Sequence, residues 1–368
     1  MQMMSRERAG YDDVQSVEGA LMSAKRATPD EHQALRALVQ SVVLAQGNIF
    51  IRELLRQKNL RIGVKKEDFE AHLLDAIDSG GLQLADVQAW LEEVEGWGDQ
   101  HVYLFDVARN VAEDPIWKSV ARLRRKLPED QKELWRTQSY KFPGEWGLTG
   151  ISFEDETLSY IWHRHRAHLI RKKAMDRREE IEGDWYQFRA HLERLDRAAM
   201  RFVLRLDRRI AAVFMQIPLE GKSHEQALNR VREATKPLVD WTRLNPFPVS
   251  DGIKRLDQTA LDAGDRSKII PHRTRLADAG NYVEFGSTSE AGDFRASAAV
   301  RSVRRAVKLG QFAGQGSVFA YKTSTSTGLP REVKVELFGE ARRVRLWAQL
   351  KAHEVWEVIE LLMPGAKA

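Results

Sequence analysis

The sequence predicts an α+β fold: an N-terminal all-helical bundle followed by an α/β domain with two strand-turn-strand-helix units forming a mixed sheet. Two observations carry this reading. Apolar residues recur at helical spacing from residue 30 to about residue 127. Further along, the order strand, turn, strand, helix occurs twice, at 201 to 236 and at 332 to 363. With 368 residues, 43% of them hydrophobic, the chain is long enough to bury a sizeable core and to divide into more than one domain.

Residues 1 to 29 are polar and read as a mobile tail, with Thr28-Pro29-Asp30 as a helix start. Leu35, Leu38, Val39 and Val42 make the first apolar stripe, and Ile49 to Arg56 makes a second helix. Phe69, Leu73, Leu74 and Ile77 mark a third, ended by Gly80-Gly81. Leu84, Val87, Trp90, Leu91 and Val94 mark a fourth, ended by Gly96. Val102, Tyr103, Phe105 and Val107 follow, and Pro115 opens a further helix, so 30 to 127 reads as one bundle. Pro128, Lys141-Phe142-Pro143-Gly144 and Gly147 to Gly150 mark 128 to 150 as a connector, with the α/β domain running from 151 to 368.

The stretch 151 to 188 fits two readings. Ile151-Ser152-Phe153 suits a strand, whereas Leu158, Ile161, Trp162, His165 and Leu169 suit a helix running toward Arg178, which length and composition favour. Phe202, Leu204 and Leu206 then alternate with Arg201 and Arg205, and 210 to 219 is apolar on both faces, as in a buried strand. Ser223 and Gln226 have capping-box spacing ahead of Ala227, Leu228, Val231 and Ala234. A linker with a short helix is expected near 245 to 272. Beyond it come a strand at 281 to 285, a helix at 294 to 309 and a strand at 317 to 322. Val333, Val335 and Leu337 alternate with charges, Val344 and Leu346 return, and Val355, Val358, Ile359 and Leu362 close the chain as a helix.

The absence of cysteine excludes disulfides, thiolate catalysis and cysteine-ligated metal centres. The first residues lack the apolar core of a signal peptide, and no run of about eighteen apolar residues is long enough to span a bilayer, so a cytoplasmic chain without a transmembrane segment is expected. The net charge of +5 permits an anionic partner without requiring one. There is no phosphate-loop, dinucleotide or nucleophile-elbow motif, so neither catalytic residues nor a cofactor are expected. His163, His165 and His168 do not converge as three ligands on either a helix or a strand, and the surrounding arginines and lysines repel a cation, so no metal is expected.

Positive charge is the one recurrent signal. Arg301, Arg304, Arg305 and Lys308 recur at spacings of three and four, which puts them on one helix face opposite Ala299, Val303, Ala306 and Val307. Such a stripe suits phosphate contact, an anionic lipid surface or an acidic partner. Arg164, Arg166, Arg171, Lys172 and Lys173 lie between Trp162 and Trp185, an arrangement that suits base stacking. Asp176, Glu179, Glu180 and Glu182 follow closely, which makes a salt-bridged surface the competing reading. Arg52, Arg56, Lys58, Lys65 and Lys66 make the bundle surface basic.

The stretches IRELLRQKNLRIGVKKEDFEAHLLDAI, LADVQAWLEEVEG and QHVYLFDV resemble the N-terminal helical domain of the centromere protein N family of kinetochore proteins. The hairpin and helix at 201 to 236 and the terminal hairpin and helix look like that family's following α/β region. The resemblance implies DNA and histone contact through the basic N-terminal residues, here Arg52, Arg56, Lys58, Lys65 and Lys66. It also implies a partner surface at 332 to 363. The expected function is therefore a non-enzymatic, nucleic-acid-binding scaffold that also meets a protein partner, or itself, through its C-terminal sheet or helix. The alternative is an adaptor or sensor in a multi-protein assembly such as a prokaryotic antiviral defence system, recognising a protein or an anionic lipid surface.

Overall fold

The computed structural model describes residues 29–136, 143–216, 224–278, 280–287, 292–307, 311–323 and 329–363. Four helices open the chain: α1 (Pro29–Ala45), α2 (Asn48–Gln57), α3 (Lys66–Asp78) and α4 (Leu84–Val94). Their apolar stripes meet in one core around Leu38, Ile51, Phe69, Leu73 and Val87. Carboxylates close two of the helix starts. Asp68 accepts from the Val64 and Lys65 amides, and Asp86 from the Gln83 amide, where free N–H groups and the helix dipole favour negative charge.

Strand β1 (His101–Val107) follows, then three short helices, α5 (Arg109–Ala112), α6 (Val120–Lys126) and α7 (Glu129–Lys132). The central region contains β2 (Gly147–Glu154), β3 (Thr157–Arg171), β4 (Arg177–Ile181), β5 (Asp184–Phe188), β6 (His191–Arg205), β7 (Ile210–Met215), α8 (His224–Thr235) and β8 (Leu244–Pro246). The remainder is α9 (Val249–Ala263), β9 (Ile269–Asp278), β10 (Asn281–Gly286), α10 (Ala298–Ala306), β11 (Ala313–Tyr321), β12 (Val333–Phe338), β13 (Arg343–Leu346) and α11 (Ala352–Leu362). One large sheet runs in the order β10-β9-β11-β12-β13-β1-β7-β6-β3-β2, with β8 pairing the far end of β1. Its pairings among the described strands are antiparallel, not mixed, and β2–β3, β6–β7, β9–β10 and β12–β13 are hairpins.

Four expectations change. Residues 101 to 107 form a central strand, so the bundle ends at α4, and α5 to α7 pack on the sheet with Val111, Trp117 and Leu123 in its core. Residues 147 to 150, inside the expected connector, open the edge strand β2, which also takes in the strand read at 151 to 153, while 137 to 142 lie outside the described residues. Residues 157 to 171 are a strand rather than a helix. Leu158, Tyr160 and Trp162 fill one core while Ile161 and His163 are buried on the other face, so burial on both sides hides the two-residue period. The expected linker holds α9, whose Ile253, Leu256 and Ala260 enter the core. The Ser223 cap position lies outside the described residues.

Each face of the sheet carries a core. Val102, Leu104, Phe214, Val335, Leu337 and Val344 lie on one face, covered by α9 and α11. Phe105, Tyr160, Trp162, Phe202 and Val213 lie on the other, covered by α8 and the short helices after β1. The bundle is fastened to the first face. There α1 packs on β6, Lys351 bridges Glu53 at 2.6 Å and Glu93 at 3.6 Å, and the Gln349 amide donates to the Ala45 carbonyl.

Candidate nucleic-acid interface

The sequence-derived basic residues do not gather into one surface. On α10, Arg304 is buried against Asp257, and Arg301 donates to the Arg295 carbonyl, while Val303 is 57% exposed. The helix therefore faces the core with Arg304 and the solvent with Val303, the reverse of the expected stripe. Arg305 remains exposed, and Lys308 lies outside the described residues. Arg164 is buried with its guanidinium over Trp146, and Arg171 forks onto Asp176. Arg166 is on β3, but its side chain is outside the described set; Lys172 is half-buried, and Lys173 is exposed. On the bundle Lys58 pairs with Asp86 at 2.5 Å, Lys66 donates to the Leu44 carbonyl, and Arg52 lies over Phe69. Arg56 and Lys65 remain exposed.

His163 belongs to a buried network. Its Nε2 is 2.9 Å from Glu95 Oε2, its Nδ1 meets the Thr149 hydroxyl, and Arg197 Nε donates to Glu95 Oε1 at 2.7 Å. Arg201 donates to the Glu95 carbonyl at 2.8 Å with its guanidinium over Trp97. Burial alone would raise the Glu95 carboxyl, but Arg197 and His163 more than offset it and hold it at about 2. Burial pushes the His163 imidazole down to about 4, against the pull of Glu95. A hydroxyl, an imidazole and a carboxylate in line resemble a hydrolytic triad. Thr149, His163 and Glu95 are each 3% exposed or less, however, and the threonine hydroxyl is committed to the Ile161 carbonyl, so no substrate reaches them. The network instead joins the end of α4 to β2, β3 and β6. Among the described residues, no three potential metal ligands form a group.

A different surface collects cations and aromatic rings. Beyond β1, the second sheet face continues over β13, β12, β11, β9 and β10. Strand alternation puts Val333, Val335 and Leu337 into the core, so Lys334, Glu336 and Phe338 point the other way. Register then aligns Arg343 with Phe338, Arg345 with Glu336, and His101 with Arg345, all on that face. Arg273 and Arg275 on β9 and Tyr282 and Glu284 on β10 extend it outward, and Trp347 follows β13. Cations lie over the rings: Arg343 over Phe338 at 4.4 Å, Arg345 over Trp347 at 5.0 Å, Arg275 over Tyr282 at 4.6 Å and Lys334 over Trp347 at 5.8 Å. Trp347 is 51% and Tyr282 61% exposed. Three acids answer five cations: Glu336 takes Arg273, Glu284 takes Arg275, and Asp99 takes Arg345.

Sequence reading missed this surface because its members come from five separate segments. Its only local trace is the alternation in KVELF and RVRLW, where every second residue is charged or aromatic. In the hairpin and helix at 332 to 363, β12 and β13 are paired on both sides and the apolar face of α11 enters the core, so what this stretch leaves at the surface is the outer face of α11 and the second face of the hairpin. A cleft at the β12–β13 turn, lined by Pro248, Val249, Ala313, Gly314, Glu340 and Arg342 among others, has no cluster of converging titratable groups. No described helix is long and apolar enough to cross a membrane. Compared with known proteins, the chain matches no protein-family model and no curated sequence.

Proposed function

We propose that the chain is a non-enzymatic nucleic-acid-binding protein whose ligand is a single strand laid across the open sheet face. The observation that carries this reading is the pairing of exposed aromatic rings with cations on one continuous surface. Unstacked bases gain about 1–3 kcal/mol each on aromatic side chains, and cations beside the rings neutralise phosphates and release counterions. A sheet face presents such rings at fixed spacing, which suits a strand whose bases are splayed outward. The resemblance to the centromere protein N family adds a second, weaker basic contact on the bundle, where Arg56 and Lys65 are exposed.

Fluorescence titration of a labelled oligonucleotide tests the proposal. Trp347→Ala is expected to weaken binding by about 1–3 kcal/mol, and Lys334→Glu to lower both affinity and the salt slope, with unchanged unfolding midpoints. Full affinity in both variants sinks it.

A second reading, an adaptor for a protein partner, is favoured by one further feature. β3 and β6 run on together past their neighbours as a two-stranded arm tipped by β4 and β5, and its solvent-facing residues include Leu169, Met175, Trp185, Tyr186 and Leu195. Exposed apolar side chains in that concentration suit protein contact more than a phosphate backbone. Co-purification with a protein that is lost on Trp185→Ser, with no oligonucleotide binding, would favour this reading.

A further inference from the structure

Where β1, β13 and the first residue of α8 meet, four basic side chains converge with few acceptors. The His224 ring lies 4.7 Å from that of His101 and 5.9 Å from that of Tyr103, and the Arg343 charge beside Tyr103 pulls against the upward push of burial on its phenol. Arg345 and His101 are each only 6% exposed. Asp99 engages one Arg345 nitrogen, Nη2, at 2.6 Å, and Glu336, opposite Arg345, is also engaged by Arg273. Nε and Nη1 of Arg345, Nε of Arg343 and Nδ1 of both His101 and His224 are buried without a hydrogen-bond partner among the described residues.

Buried donors without acceptors are costly, and a native fold rarely keeps several together. Two arginines held side by side beside two imidazoles supply the forked donors and the positive field that a compact, doubly charged oxyanion requires. We propose that Arg343, Arg345, His101 and His224 bind a phosphomonoester, the terminal phosphate of a strand whose bases lie on the adjoining platform. A terminal group fits better than an internal diester. Arg343 and His224 are half-buried beside the buried Arg345 and His101, so the ligand meets the cluster end-on from the half-buried pair, and its second charge is matched by the second guanidinium. The identity of the carrier rests on the strand-binding reading above, whereas the phosphate pocket stands on its own geometry.

The pocket also has a proton signature. Burial, helped by Arg343, Arg345 and His224, pushes the His101 imidazole down to about 3, and burial with the same arginines lowers His224. Among the described residues, Tyr103, Asp99 and Glu336 are further ionisable groups beside them. A bound dianion reverses part of this field, so binding raises the pKa of both imidazoles.

The test is titration of the full chain with inorganic phosphate, read by the imidazole NMR signals of His101 and His224. A saturable shift with rising histidine pKa is expected. Arg343→Gln and His224→Ala should each weaken it about tenfold or more, the worth of a hydrogen bond to a charged group. Phosphate should also raise the wild-type unfolding temperature more than that of either variant. In a second arm, oligonucleotides with a terminal phosphate should bind more tightly than the same strands ending in hydroxyls. No histidine response beyond that to chloride at equal ionic strength would overturn the pocket. Equal binding of phosphorylated and unphosphorylated strands would overturn the terminal-phosphate assignment. A phosphate response in a protein that binds no oligonucleotide would uphold the pocket and overturn the strand as its carrier.

Discussion

Glu95 accepts from Arg197 and His163 where water does not reach, and its charge makes the burial of Arg197 and Arg201 tolerable. Removing one partner from such a group leaves the other charges uncompensated, so Glu95→Gln is expected to cost about 3–5 kcal/mol, read from urea denaturation midpoints. The acid dependence follows from the same residues. His163 has a folded-state pKa of about 4 against an ordinary 6.5, so its contribution is complete above 6.5 and is lost as pH falls toward 4. Glu95, held at about 2 against 4.5, adds a loss below 4.5. Stability measured against pH should fall from about 6.5 downward, by up to about 1.4 kcal/mol per unit for each proton taken up on unfolding. His163→Gln should flatten the limb between about 6.5 and 4; an unchanged limb would contradict the assignment. At this scale the sequence showed which residues were charged but not where they went. Arg304 and Val303 exchange the roles that helical spacing suggests, because Asp257 waits inside the core for a guanidinium.

The arm shows what an element can do without a core of its own. β4 and β5 are exposed along their whole length, and at its root β3 and β6 share the pairing that continues into the sheet. Replacing residues 172 to 190 with a two-residue Asn-Gly turn should keep the Arg171–His191 pairing and leave the unfolding midpoint of the remainder within about 0.5 kcal/mol. A chain that no longer folds would show the arm to be structural. β3 was hard to read because it is buried on both faces at one end and open at the other, so neither period runs through it. By contrast α1 to α4 and α11 were legible, since each buries one stripe and keeps the other face polar. For α9, polar residues on the outer face masked a core stripe of equal length.

Across the whole molecule, β1 organises the fold. β7 and β13 flank it, both antiparallel to it, so the two hairpin-and-helix units enter the sheet in the same direction from opposite sides. Their helices consequently lie on opposite faces, α8 in one core and α11 in the other. The sequence showed the repeated order of elements but not this arrangement, because pairs such as His101 with Arg345 are remote in the chain and leave no local signal. Cutting between residues 127 and 128 should therefore separate β1 from its neighbours. The two fragments are expected to unfold without cooperativity alone and to regain it together, as followed by circular dichroism on heating. Two independently cooperative fragments would count against a central role for β1.

The open platform beside β1 is the consequence that matters for function, because the covering helices stop there while the sheet continues. Its most direct measurement is the affinity of the full chain for a single-stranded oligonucleotide as salt is varied, with Trp347→Ala as the comparison. The account predicts log affinity falling linearly with log salt, and a parallel line for the variant displaced by about 1–3 kcal/mol. Superimposed lines, or no binding at physiological ionic strength, would contradict it.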